Sequence, residues 1–335
     1  MEKLNLNQIK TLLTIPRRIV ITTHKSPDGD AMGSSLGLYN YLIKDGHIVN
    51  VITPNAPPYF LNWLPGNEKV LVFEKYAHLA TKHILDAEVI FCLDFNNLSR
   101  IEEVGKHVAE SKAIKILIDH HQQPDNFAHF DFHTVETSST CELIYDFISI
   151  LNVNAIDATI GECLYTGIMT DTASFRFSSS TADTHRKAAD MISKGVNHVK
   201  IHEAVYDCNT YNRLQLMGFT LCNRFEIIRD LNTAVIWLSI EELEKYQYQP
   251  GDTEGFVNYG LSIEGVKLSA FFVERDGKVK VSFRSKSPFD VNQFSRNHFA
   301  GGGHKNAAGG ESQESLLDTV TRFKKTIEQY RAELS

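Results

Sequence analysis

The chain has 335 residues, 42% hydrophobic and 22% charged, with 20 glycines and a formal net charge of −7. That length suits two domains better than one core, and the ordinary composition excludes a disordered or low-complexity chain. The acidic balance excludes a general basic coat for nucleic acid, and it leaves room for a carboxylate cluster that divalent cations would neutralise.

The five cysteines, Cys92, Cys141, Cys163, Cys208 and Cys222, are scattered and form no C-x-x-C pair. Neither a disulfide framework nor a thiolate zinc site is expected, and the thiols read as reduced core residues. Met1 to Leu13 is polar and helix-like without the apolar stretch of a signal peptide, and no run approaches the roughly 18 apolar residues of a membrane span. A cytoplasmic location without a membrane partner is the expectation.

Arg18 to Thr22 reads as a short β-branched strand that runs into the polar cluster Thr23 to Asp30. A helix follows over Ala31 to Asp45, with Met32, Leu36, Tyr39 and Ile43 near helical spacing and Gly46 as its stop. Ile48 to Thr53 predicts a second strand, Val89 to Leu93 a third that delivers Asp94, and Lys115 to Ile118 a fourth that delivers Asp119-His120-His121. Strands alternating with helices predict a mainly parallel α/β sheet whose carboxyl edge collects the polar side chains.

Ser139 and Glu142 have capping-box spacing ahead of the apolar run Leu143 to Leu151. A further helix over Ala155 to Met169 leads into Thr170-Asp171-Thr172, and Thr184 to Lys194 reads as the last helix of the first domain. Val199 to Phe225 reads as helical material bridging to the second. From Glu226 the texture turns to short β-rich runs, Thr233 to Ile240, Leu268 to Val273 and Val279 to Arg284, predicting a smaller mixed α/β domain. The glycine-dense stretch Ala300 to Gly310 and a closing helix from Ser315 to Ala332 end the chain.

The polar clusters at the strand ends carry chemistry. His24-x-x-x-Asp28-x-Asp30, Asp94, Asp119-His120-His121 and Asp171 each read singly as turns or caps. Together they lie at the ends of elements that neighbour one another in a parallel sheet, where unpaired carboxylates would repel strongly. A His and carboxylate set without cysteine suits Mn²⁺, Mg²⁺, Co²⁺ or Zn²⁺. Two such ions about 3.5–4 Å apart would activate water and clamp an in-line phosphoryl transfer.

Ser26-Pro27-Asp28-Gly29-Asp30, Leu93-Asp94, Asp119-His120-His121 and Thr170-Asp171-Thr172 resemble the four motifs of the DHH phosphoesterase superfamily. Gly301-Gly302-Gly303-His304 with Ala307-Ala308-Gly309 resembles the glycine signature of its DHHA1 domain. The resemblance spans nearly the whole chain, and the layout is similar to the nanoRNase/pAp-phosphatase branch. It implies a DHH domain over 1–197, a helical linker over 198–226 and a DHHA1 domain over 227–335, with the active site in the cleft between domains.

Carried over by motif, the resemblance implies that His24, Asp28 and Asp94 hold one ion while Asp30, Asp94, His120 and Asp171 hold the other, with Asp94 as the bridge. Asp119 would orient an imidazole, and His121 would lie near the leaving oxygen as a general acid. The first motif carries Ser26 where many relatives have another small or acidic residue, and Ala173 stands where glycine is common.

In the second domain, Gly301, Gly302 and Gly303 with His304 offer either a backbone cradle for a phosphate or a glycine-rich hairpin. Arg284 and Lys286 alternate along a strand and share a face, as exposed edge charges or as substrate contacts; the resemblance favours the contacts. Phe283, pointing the other way, is expected in the core. The implied activity is two-metal hydrolysis of very short single-stranded RNA and 3′-phosphoadenosine 5′-phosphate-like nucleotides, with Mn²⁺ favoured over Mg²⁺ or Co²⁺. Cyclic dinucleotides or their linear products are the alternative substrates, and a catalytically inactive nucleotide-binding regulator is the alternative class. No long duplex is expected as a partner, and a homodimer is left open.

Overall fold

The computed structural model describes residues 3–286 and 288–335; Met1 and Glu2, at the head of the polar N-terminal stretch, and Ser287 lie outside the described residues. The chain divides into two units, Met1–Cys208 and Asn209–Ser335.

The first unit runs α1 (Lys3–Leu12), β1 (Arg18–Thr23), α2 (Gly29–Lys44), β2 (Ile48–Thr53), β3 (Leu71–Val72), α3 (Phe73–Asp86), β4 (Val89–Leu93), α4 (Glu103–Glu110), β5 (Ile114–Asp119) and β6 (Phe130–His133). Helices α5 (Thr140–Leu151), α6 (Ala158–Asp171), α7 (Ala182–Ser193) and α8 (His198–Tyr206) follow. All six strands are parallel, in the order β3-β2-β1-β4-β5-β6.

The central strands are apolar because helices cover both faces. Ile19 and Ile21 of β1 and Phe91 of β4 pack with Leu36 of α2, Ile144 of α5 and Leu164 of α6. Val20 and Ile90 face the opposite layer, with Ala80 and Ile84 of α3 and Val104 and Val108 of α4. The strand order reverses between β1 and β4, and doubly wound sheets open a crevice at that switch point, beyond the carboxyl ends of the strands. His24 follows β1, Asp94 follows β4, and Asp119 closes β5. Thus the three predicted ligand-bearing strands are adjacent, with the reversal among them.

Helices α2, α5 and α6 converge on that edge through close backbone approach. A Cβ at Gly167 of α6 would collide with Cys141 Sγ and lie 2.9 Å from Asp30 Oδ1. Helix α5 begins one turn earlier than the apolar run, with Ser139 as its N-cap, its hydroxyl accepting from Glu142 N at 3.1 Å. The reciprocal half of the expected capping box is absent. The Glu142 carboxylate turns instead to the Ser138 hydroxyl, to Thr184 Oγ1 at 3.0 Å and to Lys187 Nζ at 3.1 Å, tying α5 to α7.

In the stretch read as a bridge, α8 packs on α6 of the first unit, whereas the next helix, α9 (Tyr211–Asn223), packs on strands of the second. The second unit continues with β7 (Phe225–Ile228), β8 (Thr233–Leu238), α10 (Ile240–Lys245), α11 (Phe256–Leu261), β9 (Leu268–Arg275), β10 (Lys278–Ser285), α12 (Val291–His298), β11 (Gly302–His304), β12 (Ala307–Ser312), α13 (Leu316–Ile327) and α14 (Arg331–Leu334). Its sheet, β11-β12-β10-β9-β8-β7, is mixed, with β8 and β9 parallel and the other neighbours antiparallel. Phe272, Phe283, Phe294, Phe299 and Phe323 form an aromatic core on one face. Cys92, Cys141 and Cys163 are buried as expected, but Cys208, in the loop between α8 and α9, is half-buried, and Cys222, in the last turn of α9, is exposed.

Candidate metal centre

His24 leaves β1 with its Nδ1 at 2.8 Å from Lys25 O. A backbone carbonyl accepting from Nδ1 leaves the lone pair on Nε2, the usual arrangement of a metal-binding imidazole. That Nε2 lies 3.4 Å from Asp94 Oδ2 and 3.9 Å from Asp28 Oδ1. Asp28 is also the N-cap of α2, its Oδ1 accepting from Asp30 N and Ala31 N at 3.0 Å each. The turn chemistry of Pro27-Asp28-Gly29 and the ligand position are therefore the same structure.

Asp94 sits in the left-handed region, at φ 63°, with its N–H donating to Ile118 O at 3.1 Å. Asp tolerates that conformation better than most side chains. Its two oxygens face different neighbours. Oδ2 faces His24, while Oδ1 lies 3.5 Å from His120 Nε2 and accepts from Thr140 Oγ1 at 3.0 Å. Around His120 Nε2 gather Asp30 Oδ2 at 3.7 Å and Asp171 Oδ2 at 3.6 Å, the latter from the last residue of α6.

Two clusters result, His24-Asp28-Asp94 and Asp30-His120-Asp171, each with one donor atom per residue mutually within 4.8 Å. Asp119 is fully buried, and its Oδ1 lies 2.7 Å from His121 Nδ1, while its Oδ2 has no hydrogen-bond partner among the described residues. The imidazole that Asp119 holds is His121, whose carbonyl in turn is bonded to the His133 ring.

The electrostatics are those of a site built for cations. Burial alone would lower the pKa of His120, yet the hydrogen bond to Asp94 and the charges of Asp171, Asp94 and Asp30 raise it to about 10. Burial likewise works against the protonated form of His24, but Asp94 and Asp28 raise its pKa overall. Among the carboxyls, burial and the charges of Asp94 and Asp171 drive Asp30 up. Burial also pushes Asp94 upward, and the hydrogen bonds from His120 and His24 more than reverse it. His121 is lowered, because burial outweighs its bond to Asp119.

A proton forced onto His120 and a carboxyl forced towards neutrality at Asp30 are both relieved by a divalent cation. Adjacent ligands of an octahedral ion at about 2.1 Å stand about 3 Å apart, so donors at 3.4–3.9 Å need only a slight contraction. The donors of these two clusters are imidazole nitrogens and carboxylate oxygens, a set that fits hard or borderline ions.

In the second unit the glycine run is a strand pair, with Gly302 opposite Gly309, Gly303 opposite Ala308 and His304 opposite Ala307. Gly303 has φ 148°, and a Cβ there would meet Ala307 O at 2.5 Å, so the hairpin itself requires that glycine. A Cβ on Gly301 would collide with Gly309 O. The Gly303 N–H donates to Asn292 Oδ1 at 2.9 Å.

Arg284 also pairs with Ala307, so Arg284, Ala307 and His304 share one face of the sheet in adjacent strands. Phe283 points to the other face and is fully buried. Lys286 follows the end of β10 and is exposed.

Residues 18–168 match the DHH family, N-terminal domain, and residues 232–333 match the DHHA1 domain. The chain is 30% identical over 326 residues to the bifunctional oligoribonuclease and PAP phosphatase NrnA of Thermus thermophilus, covering 97% of this chain and 93% of that protein. The chain belongs to the DHH family. A solved structure described as an exopolyphosphatase-related protein from Bacteroides fragilis superposes with a TM-score of 0.94 at 41% identity, covering 99% of this chain and 98% of that one. The cyclic-di-AMP phosphodiesterase GdpP of Bacillus subtilis is 28% identical over 96% of this chain, which spans only 49% of that protein. Within this DHH family member, sequence reasoning missed Thr140: Ser139 with Glu142 was legible as a helix start, but Thr140, the first residue of α5, was not legible as a contact to two aspartates.

Proposed function

We propose that the protein is a two-metal-dependent phosphodiesterase and phosphatase that hydrolyses very short oligoribonucleotides and 3′-phosphoadenosine 5′-phosphate-like nucleotides, with water as the nucleophile. The observation that carries this reading is Asp94, whose two oxygens face the two imidazole-carboxylate clusters separately. Further support comes from a curated oligoribonuclease and PAP phosphatase that aligns over 97% of this chain.

His24, Asp28 and Asp94 would hold one ion and Asp30, Asp94, His120 and Asp171 the other. When bound, the pair supplies an acidified water and positive charge on the phosphoryl oxygens. We propose Mn²⁺, with Mg²⁺ and Co²⁺ fitting the same donors.

The chain's own groups do the rest. Asp119 keeps the Nδ1 side of His121 engaged, so Nε2 is the nitrogen that passes a proton to the leaving oxygen. Burial favours the neutral ring, so the proton that Nε2 passes on has first to be taken up, and once there it is readily given up. In the second domain, Arg284 and His304 on one sheet face, with Lys286 and the backbone of Gly301 and Gly302, would engage a terminal phosphate, while the Gly303 amide is taken by Asn292 Oδ1. No helix among the described residues is long and apolar enough to cross a membrane, and we propose a cytoplasmic site of action.

Hydrolysis of a cyclic dinucleotide or its linear product is the second reading, favoured by the alignment to GdpP over nearly all of this chain. Purified protein with Mn²⁺ is offered 5′-labelled di- to decaribonucleotides, pAp, cyclic di-AMP and polyphosphate. Fastest turnover of the shortest RNA and of pAp is expected. Preference for cyclic di-AMP would install the second reading, and binding without turnover of any substrate would make the protein a nucleotide-binding regulator.

A further inference from the structure

Outside the four motifs, Thr140 touches two of the acidic side chains at once. It is the first residue of α5, fully buried, directly after the N-cap Ser139. Its backbone N–H donates to Asp30 Oδ2 at 2.7 Å, and its hydroxyl donates to Asp94 Oδ1 at 3.0 Å. Cys141 N adds a second donor to Asp30, at 2.8 Å to Oδ1.

Asp30 arrives on α2 and Asp94 from the end of β4, so two like charges from different elements are brought together in a buried place. Such a pair is stable only if donors face it. The amino end of α5 provides them, along with the partial positive charge of a helix N-terminus. The two carboxylates are nevertheless held differently. Asp30 rests on two backbone amides that no side-chain exchange removes, whereas the Asp94 link to α5 is a single hydroxyl.

A carboxylate shared between two ions must present one oxygen to each side, and rotation about its last torsion carries both oxygens off target. That torsion is broad for aspartate. Threonine is stiff at χ1, and a fully buried threonine is held further by its packing. We infer that Thr140 is a positioning residue for the metal centre: its hydroxyl fixes the rotation of the Asp94 carboxylate while its amide fixes Asp30, so both ligand clusters are shaped before an ion arrives. This rests on the reading that the clusters hold divalent ions.

Thr140→Val keeps the shape and both backbone donors to Asp30 and removes only the hydroxyl; Thr140→Ser keeps the hydroxyl. Mn²⁺ alone is titrated calorimetrically into the metal-free full chain of each, and melting is followed in EDTA. A hydrogen bond to a charged group of this kind corresponds to about tenfold or more in affinity. The expected result is a loss of that size in Thr140→Val that exceeds any accompanying loss of stability in EDTA, with Thr140→Ser within about threefold of wild type.

If wild type itself takes up no Mn²⁺, the ion-binding reading falls and this inference with it. Mn²⁺ uptake by wild type and Thr140→Val with equal affinity overturns the role of Thr140 alone. An affinity loss equal in Thr140→Ser, or matched by a drop in the EDTA melting temperature of Thr140→Val, overturns it in favour of a packing role.

Discussion

His121 Nδ1 lies 2.7 Å from Asp119 Oδ1, in a pair that is buried on both sides. The arrangement fixes which ring nitrogen faces outward from the pair. Asp119→Asn keeps the shape but offers the ring an amide that can donate as well as accept, so the ring loses its fixed tautomer. A fall in kcat of about 10–100-fold is expected, read by steady-state hydrolysis of a labelled dinucleotide at saturating Mn²⁺. Activity within about twofold of wild type would show that the pair only supports the fold.

Asp94→Asn removes the charge that both clusters share. Turnover should vanish, and Mn²⁺ binding should fall at both sites together, because one oxygen faces each imidazole. Retention of more than about a tenth of the activity would be incompatible with a shared ligand, given the size of such effects.

Arg284→Ala deletes a half-buried cation of β10, with the small residues Ala307 and Ser269 opposite it. A contact made equally in ground and transition states changes KM and leaves kcat alone. KM for pAp should rise about tenfold or more, as for one lost charge-assisted hydrogen bond, and an unchanged KM would refute the contact.

Glu142 couples acid to stability. Its burial favours the neutral form, but the Ser138 hydroxyl and the Lys187 ammonium bring its pKa below the ordinary value. The unfolded chain therefore binds the proton more tightly. The stabilisation is fully present above the unfolded pKa of about 4.3 and is lost as pH falls through the lower folded value. Urea unfolding in EDTA should show wild type losing stability between about pH 5 and pH 3. Glu142→Gln should be less stable at neutral pH and flatter across that window; parallel curves would assign the acid lability elsewhere.

Ala173, Ser174 and Phe175 all adopt positive φ, at 49°, 60° and 62°, in the turn that follows Asp171. Left-handed backbone costs an L residue about 1–2 kcal/mol, partly offset in a glycine variant by the entropy of its unfolded chain. Ala173→Gly should therefore stabilise the protein by about 0.5–1 kcal/mol in urea unfolding. A loss of stability would mean that the Ala173 methyl group packs usefully.

Much of this was legible in the chain because strands β1, β4 and β5 each show an apolar run broken by Asp or His at the point where it reaches the edge of the sheet. The short strands β3 and β6 were not legible: β3 has two residues, and β6 alternates Phe with Asp and His. Nor could the chain order say which imidazole Asp119 holds, since His120 and His121 are neighbours in sequence and diverge only once the loop is folded. The hold of Thr140 on Asp30 joins residues 110 positions apart through a backbone amide, which no side-chain pattern announces. In the glycine run, the side chains are missing because Gly309 O and Ala307 O occupy their space, a reason that appears only with the hairpin closed.

The left-handed backbone at Asp94 limits how this position can vary. A glutamate would keep the charge, but it would carry a longer side chain on a conformation that Asn, Asp and Gly adopt far more readily. A saturation library at 94, sorted first for folding and then for turnover, should return Asn and Gly among the folded survivors and Asp alone among the active ones. The position is thus constrained twice, by the torsion of its main chain and by the reach of its carboxylate.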